Sequence, residues 1–380
     1  MYCPRCGTPN ADTASTCVSC GQTLLFNAAA APVQVKTSGL AIAAFVLGIL
    51  SLFTCGLTAI PAIILGVFAL MGISQGGGRL TGTAFAVIGI AVPSVSLLLV
   101  PLLLGILMPG LARTRQLAFR MTCGTNLSGI GKAMLLYSDD HQNQLPVAGG
   151  PDTAWGEVAN WTAATRQDAF DLAADGTGGK ATVSSCFYLL VKYMEASPKS
   201  FVCKGDAGTT EFRPFALDIG AMPLDFELAK GWDFGPARES WRHCSYAYHI
   251  PFGHRPLTVS NQSGFAIAAD RNPFLNSPAG VGVVRTGFIP DVPGAGGNAD
   301  TAKLGNALAH QLDGQNVLFL DTHVSFEKRS YCGIEDDNIY LISPDARGGT
   351  PLGLVPAPGP ITLLNSKDSV LVHDPDRFGN

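Results

Sequence analysis

The longest apolar run of the chain covers residues 82–107 and contains no charged side chain. A hydrocarbon core of about 30 Å is crossed by a helix of about 20 apolar residues. The run therefore predicts a transmembrane helix over 82–108. We expect the Pro109-Gly110 pair to break this helix, and Pro93 and Pro101 to kink it.

A more polar helix is predicted directly after the break, over 109–141. Its apolar positions recur at steps of three and four residues, which places them on one face of a helix. They are Leu117, Met121, Gly124, Leu127, Ile130, Met134 and Tyr137. We expect this face to lie against a folded domain, so that the helix forms a stem between membrane and domain.

Two shorter apolar runs, 39–55 and 58–74, precede the long one and are joined by a Cys-Gly-Leu turn. Residues 39–78 carry no charge, which favours a two-span membrane hairpin over the buried core of a soluble domain. Glycines within the hairpin would let its helices approach closely. The sequence IPAIILGVFAL at 60–70 resembles a small two-span bacterial module of unknown function, and this resemblance implies topology but no chemistry.

Residues 1–25 contain two C-x-x-C knuckles, each followed by glycine, formed by Cys3 with Cys6 and by Cys17 with Cys20. Four thiolates at this spacing suit tetrahedral Zn²⁺ with no open coordination position. Two disulfides, or a redox-active C-x-x-C, are the alternatives. The segment is similar to the short zinc ribbons at the N-termini of many bacterial membrane proteins, which implies a structural or adaptor role.

The remainder of the chain comprises a linker of small residues at 26–38 and a domain at 142–380 that is rich in glycine and proline. Short apolar runs between turn signals predict an irregular, mostly β domain with long loops. We expect one helix and four strands, with turns at Asp313-Gly314 and Asp321-Thr322. The predicted helix covers 184–194, and the strands lie near 265–269, 315–320, 323–328 and 338–342.

Composition supports a membrane protein, because hydrophobic residues make up 47% of the chain and charged residues only 14%. Soluble proteins average about 25% charged residues. The formal net charge of −4 argues against a basic face that could replace phosphate counterions, so we expect no nucleic-acid partner. The partner that the composition indicates is the lipid bilayer.

Three spans would place the two ends of the chain on opposite sides of a membrane. Zinc thiolates need a reducing compartment, so we expect a multi-pass protein of the bacterial inner membrane with a cytoplasmic ribbon and an exported C-terminal domain. Arg113, Arg115 and Arg120 would then follow the third span on the outside, against the positive-inside tendency. Anchoring of the stem at the interface, or contact with lipid headgroups or a partner, would account for them.

Several segments between residues 111 and 342 resemble, in order, a large pilin-like family marked by a late histidine, a nine-residue gap and Asp-Gly. They are CGTNLSGIGKA at 123–133, YSDDH at 137–141, SPKSFVC at 197–203, SYAY at 245–248, ADRNP at 269–273, and His310 with Asp313, Gly314 and Asp321. The resemblance implies an α+β domain in which a long N-terminal helix packs on a mostly antiparallel β-sheet. It also implies a structural subunit of the type II secretion pseudopilin kind, without catalytic activity.

Two features depart from the pattern of that family. Ten residues separate His310 from Asp321, and Thr322 stands where the glycine is expected. The predicted long span begins GTAFAVIG at 82–89, whereas pilins begin theirs with Gly-Phe-Thr-Leu-x-Glu, where a peptidase cleaves and the glutamate sets subunit register. We therefore expect a pilin-like domain that is fixed to the membrane by an uncleaved anchor.

Five cysteines follow the predicted spans, at positions 123, 186, 203, 244 and 332. In an oxidising compartment some of them are expected to pair, and their odd number leaves at least one free. Because Cys123 and Cys203 both lie in segments that resemble the family, theirs is the first disulfide that we expect. The other pairings stay open.

Acidic and histidine side chains are the remaining candidates for metal chemistry. Pseudopilins carry calcium in C-terminal loops, and the oxygens that Ca²⁺ needs could come here from Asp313, Asp321, Asp336 and Asp337, with Glu335 beside them. The alternative is that these acids are turn residues. Histidines 243, 249, 254, 310 and 323 are also possible ligands, although a histidine near a hairpin more often bonds to the backbone.

The sequence thus predicts a multi-domain membrane protein with a zinc ribbon, three transmembrane helices and a pilin-like exported domain. We expect a non-enzymatic scaffolding subunit in a secretion or envelope assembly, with other pilin-like subunits as partners. A membrane-anchored sensor or ligand-binding protein that signals through the ribbon is the alternative. An enzyme is the third possibility, but no nucleophile, base and oxyanion site can be assembled from the sequence.

Overall fold

The computed structural model describes residues 1–24, 35–54, 56–214, 226–253, 257–275, 298–343, 353–359, 363, 366–376 and 378. Within it the chain forms two compact units, Met1–Leu111 and Ala112–Asn380. Most of the predicted linker, 25–34, lies outside the described residues.

The first unit contains a ribbon at residues 1–24 and the apolar helices. Its helices are α1 (Gly39–Phe53), α2 (Ala59–Gln75) and the first part of α3 (Thr83–Asp140). Two-residue strands β1 (Lys36–Thr37) and β2 (Leu80–Thr81) pair in parallel just before α1 and α3. The two shorter apolar runs therefore form helices within two residues of the expected bounds, and the helix of the long run begins within one residue of its expected start.

Helix α3 is continuous over 58 residues, so the expected break at Pro109-Gly110 is wrong. Pro93, Pro101 and Pro109 all lie inside the helix. A proline removes one backbone hydrogen bond, and the bonds of the neighbouring turns carry the helix past each of the three prolines. The predicted long span and the predicted stem are consequently one element.

The helices of the first unit bury small side chains and expose large ones. Helix α1 buries Ala41, Ala44, Gly48 and Ser51, and helix α2 buries Ala59, Ala62, Gly66 and Ala69. Their exposed residues include many leucines, isoleucines and phenylalanines. A Cβ atom at Gly89 of α3 would come within 2.7 Å of the carbonyl carbon of Ala44. Close backbone contact through small residues, with large apolar groups outside, is typical of helices packed in lipid.

Only α3, among the described residues, is long and apolar enough to cross a membrane. Helices α1 and α2 have 15 and 17 residues. At 1.5 Å per residue they measure about 22 and about 26 Å, against a hydrocarbon core of about 30 Å. By length, therefore, one span is found where the sequence predicted three.

The second unit is built on a five-stranded antiparallel sheet with strand order β8-β7-β6-β5-β9. Its helices are α4, α5, α6 and α7, at Arg166–Phe170, Val183–Met194, Ala237–Ser240 and Ala299–Ala302. Its strands are β3 to β9, at Ala154–Trp155, Lys180–Ala181, Tyr246–His249, Ala266–Asp270, Gln315–Phe319, Val324–Glu327 and Leu371–Val372. Strands β3 and β4 form a separate parallel pair.

The predicted helix at 184–194 and three of the four predicted strands are confirmed as α5, β6, β7 and β8. Residues 338–342 form no strand; they contribute only isolated bridges, at Asn338 and Ile342. Tyr340 there is held instead by tertiary bonds, because its hydroxyl donates to the carbonyl of Asp270 at 2.8 Å.

The last part of α3 lies on the sheet with the face that the sequence predicted. Leu127, Ile130 and Met134 are buried. A Cβ atom at Gly131 would come within 2.8 Å of the Leu318 side chain on β7. The two earliest positions of the predicted apolar face, Leu117 and Met121, are instead 56% and 74% exposed.

Candidate metal centres

The ribbon brings its two knuckles together through local backbone bonds. The amide of Gly7 donates to the carbonyl of Cys3, and the amide of Gly21 donates to the carbonyl of Cys17, both at 3.0 Å. Both glycines have positive φ angles, +72° and +68°, which glycine adopts without the strain that a Cβ atom would cause. Each C-x-x-C-G sequence thereby folds into the same tight turn.

The four sulfur atoms of the ribbon form a compact group, all within 4.8 Å of one another. The Sγ atoms of Cys3 and Cys20 are 3.7 Å apart, and those of Cys6 and Cys17 are 3.5 Å apart. Zn–S bonds of about 2.3 Å in a tetrahedron place sulfurs about 3.8 Å apart. The predicted zinc ligands are thus brought together at the spacing that zinc requires.

Hydrogen bonds favour the thiolate form of two cysteines at this centre, Cys17 and Cys6. Hydrogen bonds from the backbone amides of Ser19 and Cys20 lower the pKa of Cys17 to about 6. A hydrogen bond with the Thr8 hydroxyl likewise lowers the pKa of Cys6. Thiolates are the zinc-binding form of cysteine, and four of them leave no position for a substrate. The arrangement suits a structural zinc ion.

A second group of metal-ligand side chains is buried in the second unit, and consists of Cys123, Cys203, Asp270 and His310. Cys123 of α3 and Cys203 form a disulfide, which is the pair that the resemblance implied. The Nε2 atom of His310 is 3.1 Å from Oδ2 of Asp270 and 3.9 Å from the sulfur of Cys203. We call these four residues the Cys-His-Asp cluster.

Buried polar partners hold this cluster in place. The backbone amide and the side-chain amide of Asn316 both donate to Oδ2 of Asp270, at 2.7 and 3.1 Å. The next residue, Arg271, is 1% exposed and forms an ion pair with the buried Asp206, with Nε 3.2 Å from Oδ2. The histidine and the cysteines are candidates from the sequence, whereas Asp270 stands there only within the ADRNP segment at 269–273. The position of Asp270 at the end of β6, beside His310, depends on the tertiary structure.

The acids proposed for calcium do not form a shared site in the described part of the chain. Asp313 forms an ion pair with Arg120, and Asp321 pairs with His323. Asp336 is exposed, whereas Asp337 is buried and accepts a bond from the Ser369 amide at 2.9 Å. Burial and the nearby Asp368 carboxylate raise the pKa of Asp337 to about 8. A shared calcium site is therefore unsupported.

The other candidate histidines bond singly, mostly to the backbone. His249 is buried, accepts a bond from the Val370 amide, and has its pKa lowered to about 3 by burial. His243 contacts the carbonyl of Thr210 at 2.9 Å, and burial lowers its pKa. His254 lies outside the described residues. Only His310 belongs to a described ligand group.

Comparison with protein families identifies two segments. Residues 2–24 match the zinc-ribbon domain, and residues 40–103 match a domain of unknown function, DUF4190. Neither is a pilin or pseudopilin family. No curated protein and no solved structure matches the chain. The chain therefore carries a zinc-ribbon domain at its N-terminus, followed by a DUF4190 domain that includes α1, α2 and the first part of α3.

Proposed function

We propose that this protein is a membrane-anchored, pseudopilin-like scaffolding subunit, without enzymatic activity, that belongs to a secretion or envelope assembly of the bacterial inner membrane. Its ribbon would be cytoplasmic and its sheet-containing unit exported. The observation that carries the proposal is the composition of α3, which changes along one unbroken helix.

Helix α3 begins as an apolar rod and ends as part of a folded domain. Its first part exposes large apolar side chains, among them Leu98, which is 78% exposed, and Ile106, which is 68% exposed. Its last part packs Leu127 and Met134 into the core below the antiparallel sheet. In the pilin-like subunits that the sequence resembles, one helix likewise anchors the domain in lipid and forms part of the core of that domain.

Chemistry at the two cysteine groups supports opposite sides of the membrane. Zinc thiolates such as Cys3 and Cys17 persist in a reducing compartment, whereas a disulfide such as Cys123–Cys203 persists in an oxidising one. If α1 and α2 cross the bilayer as α3 does, three spans separate the two groups. A bilayer thins locally around helices that are a few ångströms too short to span it.

Topology is tested by fusing alkaline phosphatase, or green fluorescent protein, after Asn380 of the full chain. The proposal predicts active phosphatase and a dark fluorescent protein, since the first needs export and the second fails to mature when exported by the general secretory route. The reverse pattern would overturn the orientation.

Partners are tested in intact cells with a photo-crosslinking amino acid at Met121, which is 74% exposed on α3. The expected product is an adduct to another pilin-like or secretion subunit. The matched control places the same amino acid at Tyr193, which is 45% exposed at the end of α5. Adducts of equal yield at both positions would contradict a docking role of the stem, and a small-molecule adduct would favour the sensor.

A further inference from the structure

We propose that the Cys-His-Asp cluster is a redox-controlled metal site, which holds a zinc-type divalent cation when Cys123 and Cys203 are thiols and releases it when they form the disulfide. This inference concerns the second unit alone and does not depend on the scaffolding function.

The four donor atoms already lie close together. Each residue offers one ligand atom, and these atoms all lie within 4.8 Å of one another. In a tetrahedral zinc site a sulfur and a nitrogen ligand are about 3.6 Å apart, and a nitrogen and an oxygen ligand about 3.4 Å. The observed distances are 3.9 Å from Cys203 Sγ to His310 Nε2 and 3.1 Å from that nitrogen to Asp270 Oδ2. The two sulfurs would have to separate, to about 3.8 Å.

The ligand set determines which cation fits. Two thiolates, one imidazole and one carboxylate suit Zn²⁺ or its probe Co²⁺, and do not suit Ca²⁺ or Mg²⁺, which take oxygen ligands. Asn316 orients Asp270, since its side-chain amide donates to Oδ2 of that carboxylate at 3.1 Å. The same amide lies 3.1 Å from Nε2 of His310, a contact that the cation would replace. Oδ1 of Asp270 is buried and has no hydrogen-bond partner among the described residues, so this carboxylate is not fully satisfied in the disulfide form.

Binding and release of the cation follow from the oxidation state of Cys123 and Cys203. Every chain is made with Cys123 and Cys203 as thiols, and binding of the cation displaces their two protons. Oxidation by a protein or small-molecule disulfide removes two electrons from the two thiolates and joins their sulfurs, which frees the cation. The oxidant accepts these two electrons, takes two protons from water and becomes two thiols. His310 also lines a surface cavity of about 320 Å³.

The test uses the full chain in detergent micelles, with Cys3, Cys6, Cys17 and Cys20 changed to serine to remove the ribbon site. We expect the reduced protein to bind one Co²⁺ per chain, with the visible absorption of a tetrahedral thiolate site, and the disulfide form to bind none. His310→Gln should weaken binding more than about 100-fold, because it removes a direct ligand. His323→Gln, which alters an exposed histidine outside the cluster, should leave binding unchanged.

No cobalt bound by the reduced protein, or equal binding by the His310→Gln variant, would overturn the proposal. If His310→Gln does not fold, alkylation of the reduced unmodified chain decides instead. Zn²⁺ should slow alkylation of Cys123 and Cys203 without affecting the buried free thiols Cys186 and Cys244. Equal rates with and without zinc would also overturn the site.

Discussion

The side chain of Asp374 accepts hydrogen bonds from the first two backbone amides of α5, although Asp374 lies 191 residues after Val183 in the chain. The amide of Val183 donates to Oδ1 and that of Ser184 to Oδ2, both at 2.7 Å, and the indole of Trp155 donates to Oδ1 at 2.9 Å. A carboxylate at this position satisfies the amides that a helix leaves free at its start, and complements the helix dipole.

We therefore expect Asp374→Ala to lower the free energy of unfolding of the second unit by about 1–3 kcal/mol, because three buried donors lose their acceptor. Thermal unfolding in detergent, followed by near-ultraviolet circular dichroism, measures the change. Asp139→Ala, which removes an exposed acid in the last turn of α3, is the control and should have little effect. An equal loss in both variants would contradict this role of Asp374.

Stability should fall as pH rises through the range in which Asp233 ionises. Burial and the nearby Asp374 carboxylate raise the pKa of Asp233 from 3.8 to about 7, against the hydrogen bonds from Thr182, Ser184 and Phe234. Between these two values the folded protein holds a proton that the unfolded chain releases, so a rise in pH favours unfolding.

The variant Asp233→Asn removes this titration. We expect the melting temperature of the parent protein to fall, relative to that of the variant, from about pH 4 to about pH 7. Asp175→Asn is the control, because hydrogen bonds from Thr177 lower the pKa of Asp175 and keep it ionised throughout this range. If Asp233→Asn keeps the pH profile of the parent, Asp233 does not titrate as described.

Helix packing in the first unit should depend on Gly89. A side chain there would meet the backbone of Ala44 at 2.7 Å, which no rotamer change can relieve. Gly89→Val should therefore lower the stability of the helix group in detergent by about 1–3 kcal/mol. Gly105→Val introduces the same residue into the same helix where nothing lies within 4 Å of the new Cβ atom. The stability of the Gly105→Val variant should stay close to the parent value. A similar loss in both variants would show that the cause is the helix propensity of valine and not the contact with Ala44.

Removal of zinc should unfold the ribbon and leave the second unit intact. A structural zinc ion supplies most of the folding free energy of so small a domain. A strong chelator, or Cys17→Ser, should make residues 1–24 sensitive to protease and reduce bound zinc by one ion per chain. Ser19→Ala lies beside a ligand without being one, and should retain the metal. Protease resistance that survives complete metal loss would refute a structural role.

Sequence patterns predicted the elements whose causes are local. The glycines after each cysteine pair, and the short apolar runs between turn signals that form α5, β7 and β8, act within a few residues. The stem face was also predictable from Leu127 to Tyr137, because the domain covers those positions. The pattern alone did not show that Met121, on the same face, would be left uncovered by the domain.

Features that depend on distant contacts were beyond the sequence. Strand β9 has two residues and pairs with β5 more than a hundred positions away, so no periodicity marks it. Asp270 meets His310 only when β6 lies beside β7. The acids from Glu335 to Asp337 are neighbours in sequence, yet a turn points one of them inward and two outward. Proximity along the chain was therefore a poor guide to a shared site.

The covalent bond between Cys123 and Cys203 closes a loop across 80 positions and attaches the last third of a very long helix to the segment that follows α5. Thermal openings that separate these two segments are suppressed while the bond is intact. Amide hydrogens of α3 near residue 123 should consequently exchange with deuterium slowly and together with those around Phe201. Amides several turns nearer the apolar end, around Arg113, lack this tether and should exchange independently.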